Sequence, residues 1–196
     1  MVTTLSRRAR ITLPISLIVL LVLFSTPLLA PESIGEEMTP IPMISGIEML
    51  KVGDNAPDFA IEDLEGNEFN MKEALSEGKG VLIFFWSIFC EPCKQELPII
   101  QELTDSYKEK GIKVVGIVLD GKPMKDAIAA FIGQENYSFS VLIDELNPDE
   151  SFKISDPYGV AGTPTLYFID SNNEVQFAKV GRASKEEIEA VIKQAL

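Results

Sequence analysis

The sequence predicts a three-layer α/β domain built on a mixed sheet. Three features carry that expectation. Short apolar runs rich in β-formers, Val81–Trp86 above all, read as buried strands. Segments with apolar residues at helical spacing separate them. The last two strand-like runs, Thr165–Ile169 and Val175–Val180, are joined only by Ser171-Asn172-Asn173-Glu174, a hairpin signal.

The elements follow in order. Phe59–Leu64 alternates weakly and Glu65-Gly66-Asn67-Glu68 is a turn, so a short hairpin is expected. Met71–Ser76 reads as a helical turn ending near Gly78. After the Val81–Trp86 strand, Glu91–Lys110 places Leu97, Ile100, Leu103 and Tyr107 on one stripe, with Gly111 as the stop. Val114–Leu119 is a second buried strand. Met124–Ile132 is a helix with Ala127, Ile128, Phe131 and Ile132 inward, and Phe139–Ile143 is a further strand. Ser184–Leu196 closes the chain as a helix, with Ser184 and Glu187 at capping-box spacing.

Ahead of this domain lie two segments of another kind. Residues 1–10 carry Arg7, Arg8 and Arg10, and residues 11–30 are almost continuously apolar. A basic stretch followed by an apolar run is an export signal. The run is about 20 residues, enough for a membrane helix. The best cleavage site ends at Ala30, with Leu28 in the other small-residue position and Pro31 after the bond. Both disfavour cleavage. The expectation is therefore an uncleaved anchor with the body outside, and a cleaved signal peptide is the alternative. Residues 31–50, with scattered Pro, Gly and Met, read as a tether, and residues 51–196 as the domain.

Composition excludes several functions. Thirty acidic residues face 17 basic ones, for a net charge of -13. Such a body repels nucleic acid, so no nucleic-acid partner is expected. There is no histidine. That removes Ser-His-Asp and Cys-His catalysis and His-based metal or haem sites. No GxGxxG is present to hold a nucleotide.

The two cysteines carry the chemistry. Cys90-Glu91-Pro92-Cys93 directly follows a buried strand and opens a helix. At a helix start, unpaired N–H groups and the dipole favour a thiolate, the nucleophile of disulfide exchange. Two intervening residues let the second sulfur reach the first, and Pro92 stiffens the turn. A static disulfide closing so short a loop would stabilise little. A zinc half-site would need ligands the chain does not hold. The redox reading is therefore favoured, with a redox-active Cys90–Cys93 pair and no other cofactor.

The segment from Trp86 through Phe89, Cys90, Pro92, Cys93 and Glu96 to Pro98 resembles the active-site segment of the membrane-tethered TlpA/ResA group. Gly53–Phe59 resembles that group's lead-in to the domain. Gly162-Thr163-Pro164-Thr165 resembles its cis-proline loop. The resemblance spans about residues 51–196. It implies a thioredoxin-like fold with an N-terminal β-hairpin and an extracytoplasmic thiol–disulfide oxidoreductase. Such a protein reduces disulfides of exported proteins, often apocytochrome c, and draws electrons from a membrane thiol–disulfide donor. It also implies that Trp86, Phe89, Pro92, Thr163 and Pro164 meet the substrate, with Pro164 cis and facing the cysteines. Glu96, three residues after Cys93, would take the proton of Cys93 as the mixed disulfide resolves.

This chain departs from the group in three ways. Phe89 stands where a tryptophan is usual, so the indole donor is lost. Asp144–Ser155 is longer than the usual link, and a solvated loop is expected there. The lack of histidine argues against the copper-chaperone branch. Two other functions compete. A peroxiredoxin-like peroxidase fits the lead-in, but the segment after Phe85 lacks Pro-x-x-x-Thr-x-x-Cys. A non-enzymatic chaperone or binding module would need no cysteine chemistry.

Overall fold

A computed structural model describes residues 48–196, which lie in one compact unit. The expected anchor and most of the tether lie outside the described residues. Within the described residues no helix is long and apolar enough to cross a membrane.

The chain opens with a hairpin, β1 (Ala60–Glu62) and β2 (Glu68–Asn70), paired antiparallel. Asp63 makes the turn, its carboxylate accepting the N–H groups of Glu65 and Asn67. Asn70 then caps α1 (Met71–Glu77) by accepting the N–H of Glu73. Strand β3 (Gly80–Trp86) is buried along its whole length. It leads into α2 (Glu91–Tyr107), which passes through a short 3₁₀ turn at Lys108–Lys110 and stops at Gly111 in the left-handed region. Next come β4 (Ile112–Val118), a 3₁₀ turn at Lys122–Met124, α3 (Lys125–Glu135) and β5 (Ser140–Ile143). Strands β6 (Thr165–Asp170) and β7 (Val175–Val180) form the final hairpin, and α4 (Lys185–Ala195) closes the chain. The capping box at Ser184 and Glu187 forms as expected.

Strands β3 to β7 make one mixed sheet in the order β5-β4-β3-β6-β7. Strands β3, β4 and β5 run parallel, β6 antiparallel to β3, and β7 antiparallel to β6. Alternate residues of β3 serve opposite faces. Leu82, Phe84 and Trp86 pack with Leu97, Ile100, Leu103 and Tyr107 of α2, Ile128 of α3, and Ile188 and Ile192 of α4. Val81, Ile83 and Phe85 pack with Met71, Ala74 and Leu75 of α1 and with Ile154, Tyr158 and Val160. Helices therefore cover both faces, as the sequence predicts, and the fold is thioredoxin-like.

Several local expectations need correction. Helix α3 runs to Glu135, beyond Ile132; of its four expected inward residues Ile128 is buried, Phe131 and Ile132 pack half-buried against the core, and Ala127 is exposed. Strand β4 starts at Ile112, two residues before Val114, because its parallel pairing with Gly80 reaches that far. The Asp144–Ser155 segment is not simply a solvated loop. Asp144, Ile154 and Ser155 are buried. The Asp144 carboxylate accepts the N–H groups of Glu145, Ile154 and Ser155 at 2.9, 3.1 and 2.8 Å, drawing both ends of the loop together. Leu146 and Phe152 bridge antiparallel in between.

Candidate active site

The sheet register gathers the site. Trp86 pairs with Val118, Val118 with Ile143, Phe85 with Thr165, and Thr165 with Val180. These pairs all lie at one end of the strands, the rim of the sheet at which β3, β4 and β5 finish. The segments just beyond them therefore converge there: Ser87–Cys90, Leu119–Asp120, Asp144, Thr163–Pro164 and Gly181–Ala183. Residues far apart in sequence meet because parallel β3, β4 and β5 all end on that side while antiparallel β6 begins there.

Cys90 is the N-cap residue of α2, with φ -87° and ψ 101°. Its sulfur is bonded to that of Cys93, with the Cα atoms 5.2 Å apart. Cys90 Sγ also accepts the Cys93 N–H at 3.2 Å. That donor is one of the first-turn N–H groups that have no intrahelical partner. The same group, with the helix dipole behind it, would stabilise a thiolate on Cys90 after reduction. The two sulfurs differ in access. Cys93 is 0% exposed, whereas Cys90 is half-buried. Pro92 lies in the first helical turn, exposed, where its missing N–H leaves nothing unpaired. Glu91 is exposed and forms an ion pair with Lys94 at 2.7 Å. That pairing holds the Glu91 carboxyl below its ordinary range, through the Lys94 hydrogen bond first.

Glu96 is fully buried one helical turn beyond Cys93. Residues at this spacing are neighbours on a helix face, about 5–6 Å apart at Cβ. Its Oε1 accepts the N–H of Ala183 at 2.9 Å, and its buried Oε2 has no hydrogen-bond partner among the described residues. Burial pushes the carboxyl above its ordinary range; the Ala183 N–H and the charges of Arg182 and Lys179 oppose this in part. A buried acid with a raised pKa and one unoccupied oxygen is equipped to exchange a proton with a thiol.

The remaining predicted residues separate into surface and core. Phe89 is 73% exposed beside Cys90. The Thr163–Pro164 peptide bond is cis, with Thr163 half-exposed and Pro164 buried. The Pro164 carbonyl accepts the Gly181 N–H at 2.8 Å, and Thr165 Oγ1 donates to the Gly162 carbonyl at 2.7 Å, so the loop is fixed from both sides. Trp86 does not meet the surface. It is 0% exposed, its ring tilted at 42° to that of Phe131 with centroids 6.0 Å apart, and its indole sits over Gly116. A Cβ at Gly116 would fall 2.9 Å from the indole nitrogen. Trp86 thus belongs to the core beneath the site and is not a substrate contact, because α3 covers it.

Two contributors escaped the sequence reading. Asp120 at the end of β4 accepts hydrogen bonds from Ser87 and Ile88 of the loop before Cys90. A carboxylate just past a buried strand was the signal available. Ala183 contributes through its backbone alone, for which a side-chain pattern gives no sign.

A cysteine pair three residues apart at a helix start, with a buried acid one turn on and a cis-proline loop on the same edge of a thioredoxin-like sheet, defines the thiol–disulfide oxidoreductase class. Comparison with known proteins agrees. Residues 52–178 match the AhpC/TSA family. The thiol–disulfide oxidoreductase ResA of Bacillus anthracis is 36% identical over 147 residues, 75% of this chain and 80% of that protein. The ResA of Oceanobacillus iheyensis is 33% identical, over 74% of this chain and 73% of its own. The crystal structure of a putative thiol:disulfide interchange protein DsbE from Chlorobium tepidum has a TM-score of 0.63 at 33% identity, covering 74% of this chain and 98% of that one. The chain belongs to the AhpC/TSA family and, within it, to the ResA-like thiol–disulfide oxidoreductases.

Proposed function

We propose that this protein works outside the cytoplasm as a reductant of disulfides in exported proteins, with apocytochrome c as the expected substrate type. The unequal burial of the two sulfurs carries the reading, because it assigns their order of action. With the pair reduced, the Cys90 thiolate attacks one sulfur of a substrate disulfide and expels the other as a thiolate. Cys93 then gives its proton to Glu96 and attacks Cys90 Sγ. The Cys90–Cys93 bond forms, and the substrate leaves with two thiols. The electron pair is restored by a membrane-bound dithiol donor. Residues 11–30, outside the described residues, would anchor the protein beside that donor.

The surface around Cys90 suits a polypeptide substrate. Phe89, Leu146 and Val180 are exposed at 73, 57 and 55%, and all three flank this edge of the sheet. They are three of the five large apolar side chains exposed among the described residues, so the apolar surface is concentrated where an unfolded segment would dock. The half-exposed Thr163 backbone would pair with that segment. Trapping tests the reading. Cys93→Ser in cells should accumulate a mixed disulfide between Cys90 and an exported cysteine protein, and the purified parent should reduce insulin. Turnover of hydrogen peroxide without insulin reduction would favour the peroxidase reading. Full function in cells of Cys90→Ser would favour a binding module.

A further inference from the structure

Three residues, Ser87, Ile88 and Phe89, join β3 to Cys90, and the Ser87 hydroxyl and the N–H groups of Ile88 and Phe89 are all bonded within the protein. Asp120 accepts the Ser87 hydroxyl on Oδ1 at 2.7 Å and the Ile88 N–H on Oδ2 at 2.8 Å. The Ser87 proton is thereby committed to Asp120, and Ser87 Oγ accepts the Phe89 N–H at 3.1 Å. The Ser87 carbonyl accepts the Cys90 N–H, also at 3.1 Å. Every N–H from residue 88 to residue 90 is therefore directed at Ser87 or Asp120 and away from the Cys90 sulfur. The sulfur keeps one donor, the Cys93 N–H.

Among the acids at this end of the sheet, Asp120 is the one bonded to the loop that carries Cys90: Asp144 is held within its own loop by three N–H groups, and Lys122, just past Asp120, pairs with Glu145 at 2.6 Å. On α2, Glu91 is paired with Lys94, and Glu96 is buried behind Cys93. From the turn after β7, Arg182 donates to Gln95 at 3.0 Å. Asp120 is held by two neutral dipoles and forms no ion pair among the described residues. Its negative charge is thus fixed against the loop that carries the nucleophile, two residues from Cys90. A fixed anion opposes a neighbouring thiolate. The helix start stabilises that thiolate, so the two influences act in opposite directions.

We propose that Asp120 is a positioning residue that sets the Cys90 loop and limits how far the helix start stabilises the Cys90 thiolate, so that the pair gives up its electrons more readily. For a dithiol–disulfide couple, weaker stabilisation of the reduced form makes a stronger reductant. The idea rests on the reductant reading given above. Its test compares potentials of variant and parent, a difference that stands whichever way the pair runs in the cell.

Three variants separate charge from structure. Asp120→Asn keeps one acceptor and removes the charge; Asp120→Glu keeps the charge; Ser87→Ala removes one hydrogen bond and keeps the charge. The pH dependence of Cys90 alkylation and equilibration with a glutathione buffer would be measured for each, with thermal unfolding in parallel. In Asp120→Asn the Cys90 pKa should fall by about half a unit, and, at a pH above that pKa, the equilibrium should move about threefold towards the dithiol. Asp120→Glu and Ser87→Ala should stay near the parent in both, even where they unfold earlier. Unchanged pKa and equilibrium in Asp120→Asn would overturn the proposal. So would equal shifts in Asp120→Asn and Ser87→Ala, which would make Asp120 a purely structural pin.

Discussion

Cys90 and Cys93 differ in one respect that decides their roles: a reagent can reach the first and not the second. After reduction, alkylation should therefore modify Cys90 first from mildly acidic to neutral pH, with a Cys90 pKa below the free-cysteine value of about 8.5. Peptide mapping after limited labelling checks this, and equal labelling would contradict it. Glu96 supplies a second residue-scale prediction. Glu96→Gln keeps an acceptor for the Ala183 N–H and removes the proton acceptor, so mixed-disulfide formation should persist while resolution by Cys93 slows about 10- to 100-fold. Single-turnover exchange with a fluorescent peptide separates the two steps, and Glu102→Gln serves as control. The same variant has a stability signature. Burial raises the Glu96 pKa above 4.5, so between that value and its raised folded value the native state holds more proton than the unfolded one. The native state then loses stability as pH rises through this window. Glu96→Gln should remove that decline, gaining on the parent at neutral pH and not at pH 4. Urea unfolding at both pH values measures it. The pair of cysteines was legible in the sequence because CxxC spacing at a strand–helix junction has few other uses. The burial of Glu96 was not, because its partner is a backbone N–H nearly ninety positions away.

At the scale of elements, the apolar patterns marked each strand and helix, and the errors fall at their ends. Periodicity does not say where pairing stops: β4 begins two residues early because Gly80 offers it a partner. The stripe along α2 was readable, since Leu97, Ile100, Leu103 and Tyr107 all face β3. The stripe on α3 was readable only in part: Ile128 is buried and Phe131 and Ile132 pack half-buried against the core, while Ala127 faces solvent. The Asp144–Ser155 loop shows what polar sequence hides. Its composition looks solvated, yet one buried carboxylate gathers three N–H groups from both of its ends. Asp144→Ala should leave those donors unpaired and destabilise the domain by about 3 kcal/mol. Denaturant unfolding would show the loss, while the Cys90–Cys93 disulfide should still form. A change below about 0.5 kcal/mol would mean that water replaces the carboxylate.

Across the whole molecule, function depends on one topological fact. Parallel β3, β4 and β5 end on the edge where antiparallel β6 begins, so a helix start, two acidic strand ends and a cis-proline loop share one face. That face also carries three of the five large apolar side chains exposed among the described residues. On the proposed reductant reading the protein must be recharged after each turnover, because the reduced Cys90/Cys93 dithiol carries a single electron pair. Residence beside a membrane donor would shorten the search for it, and residues 11–30 have the length and apolarity to provide that residence. A signal peptidase prefers small residues before the cut, and Leu28 occupies one of those positions, with Pro31 after the bond. The mature protein should therefore retain residues 1–30 and fractionate with the membrane. Replacing Leu28 with alanine and Pro31 with alanine should convert the run into a cleavable signal and release the domain in soluble form. N-terminal sequencing of the protein from each fraction checks both statements. A parent chain that starts near Glu32 in the soluble fraction would show that the run is removed, and recharging would then depend on diffusion to the donor.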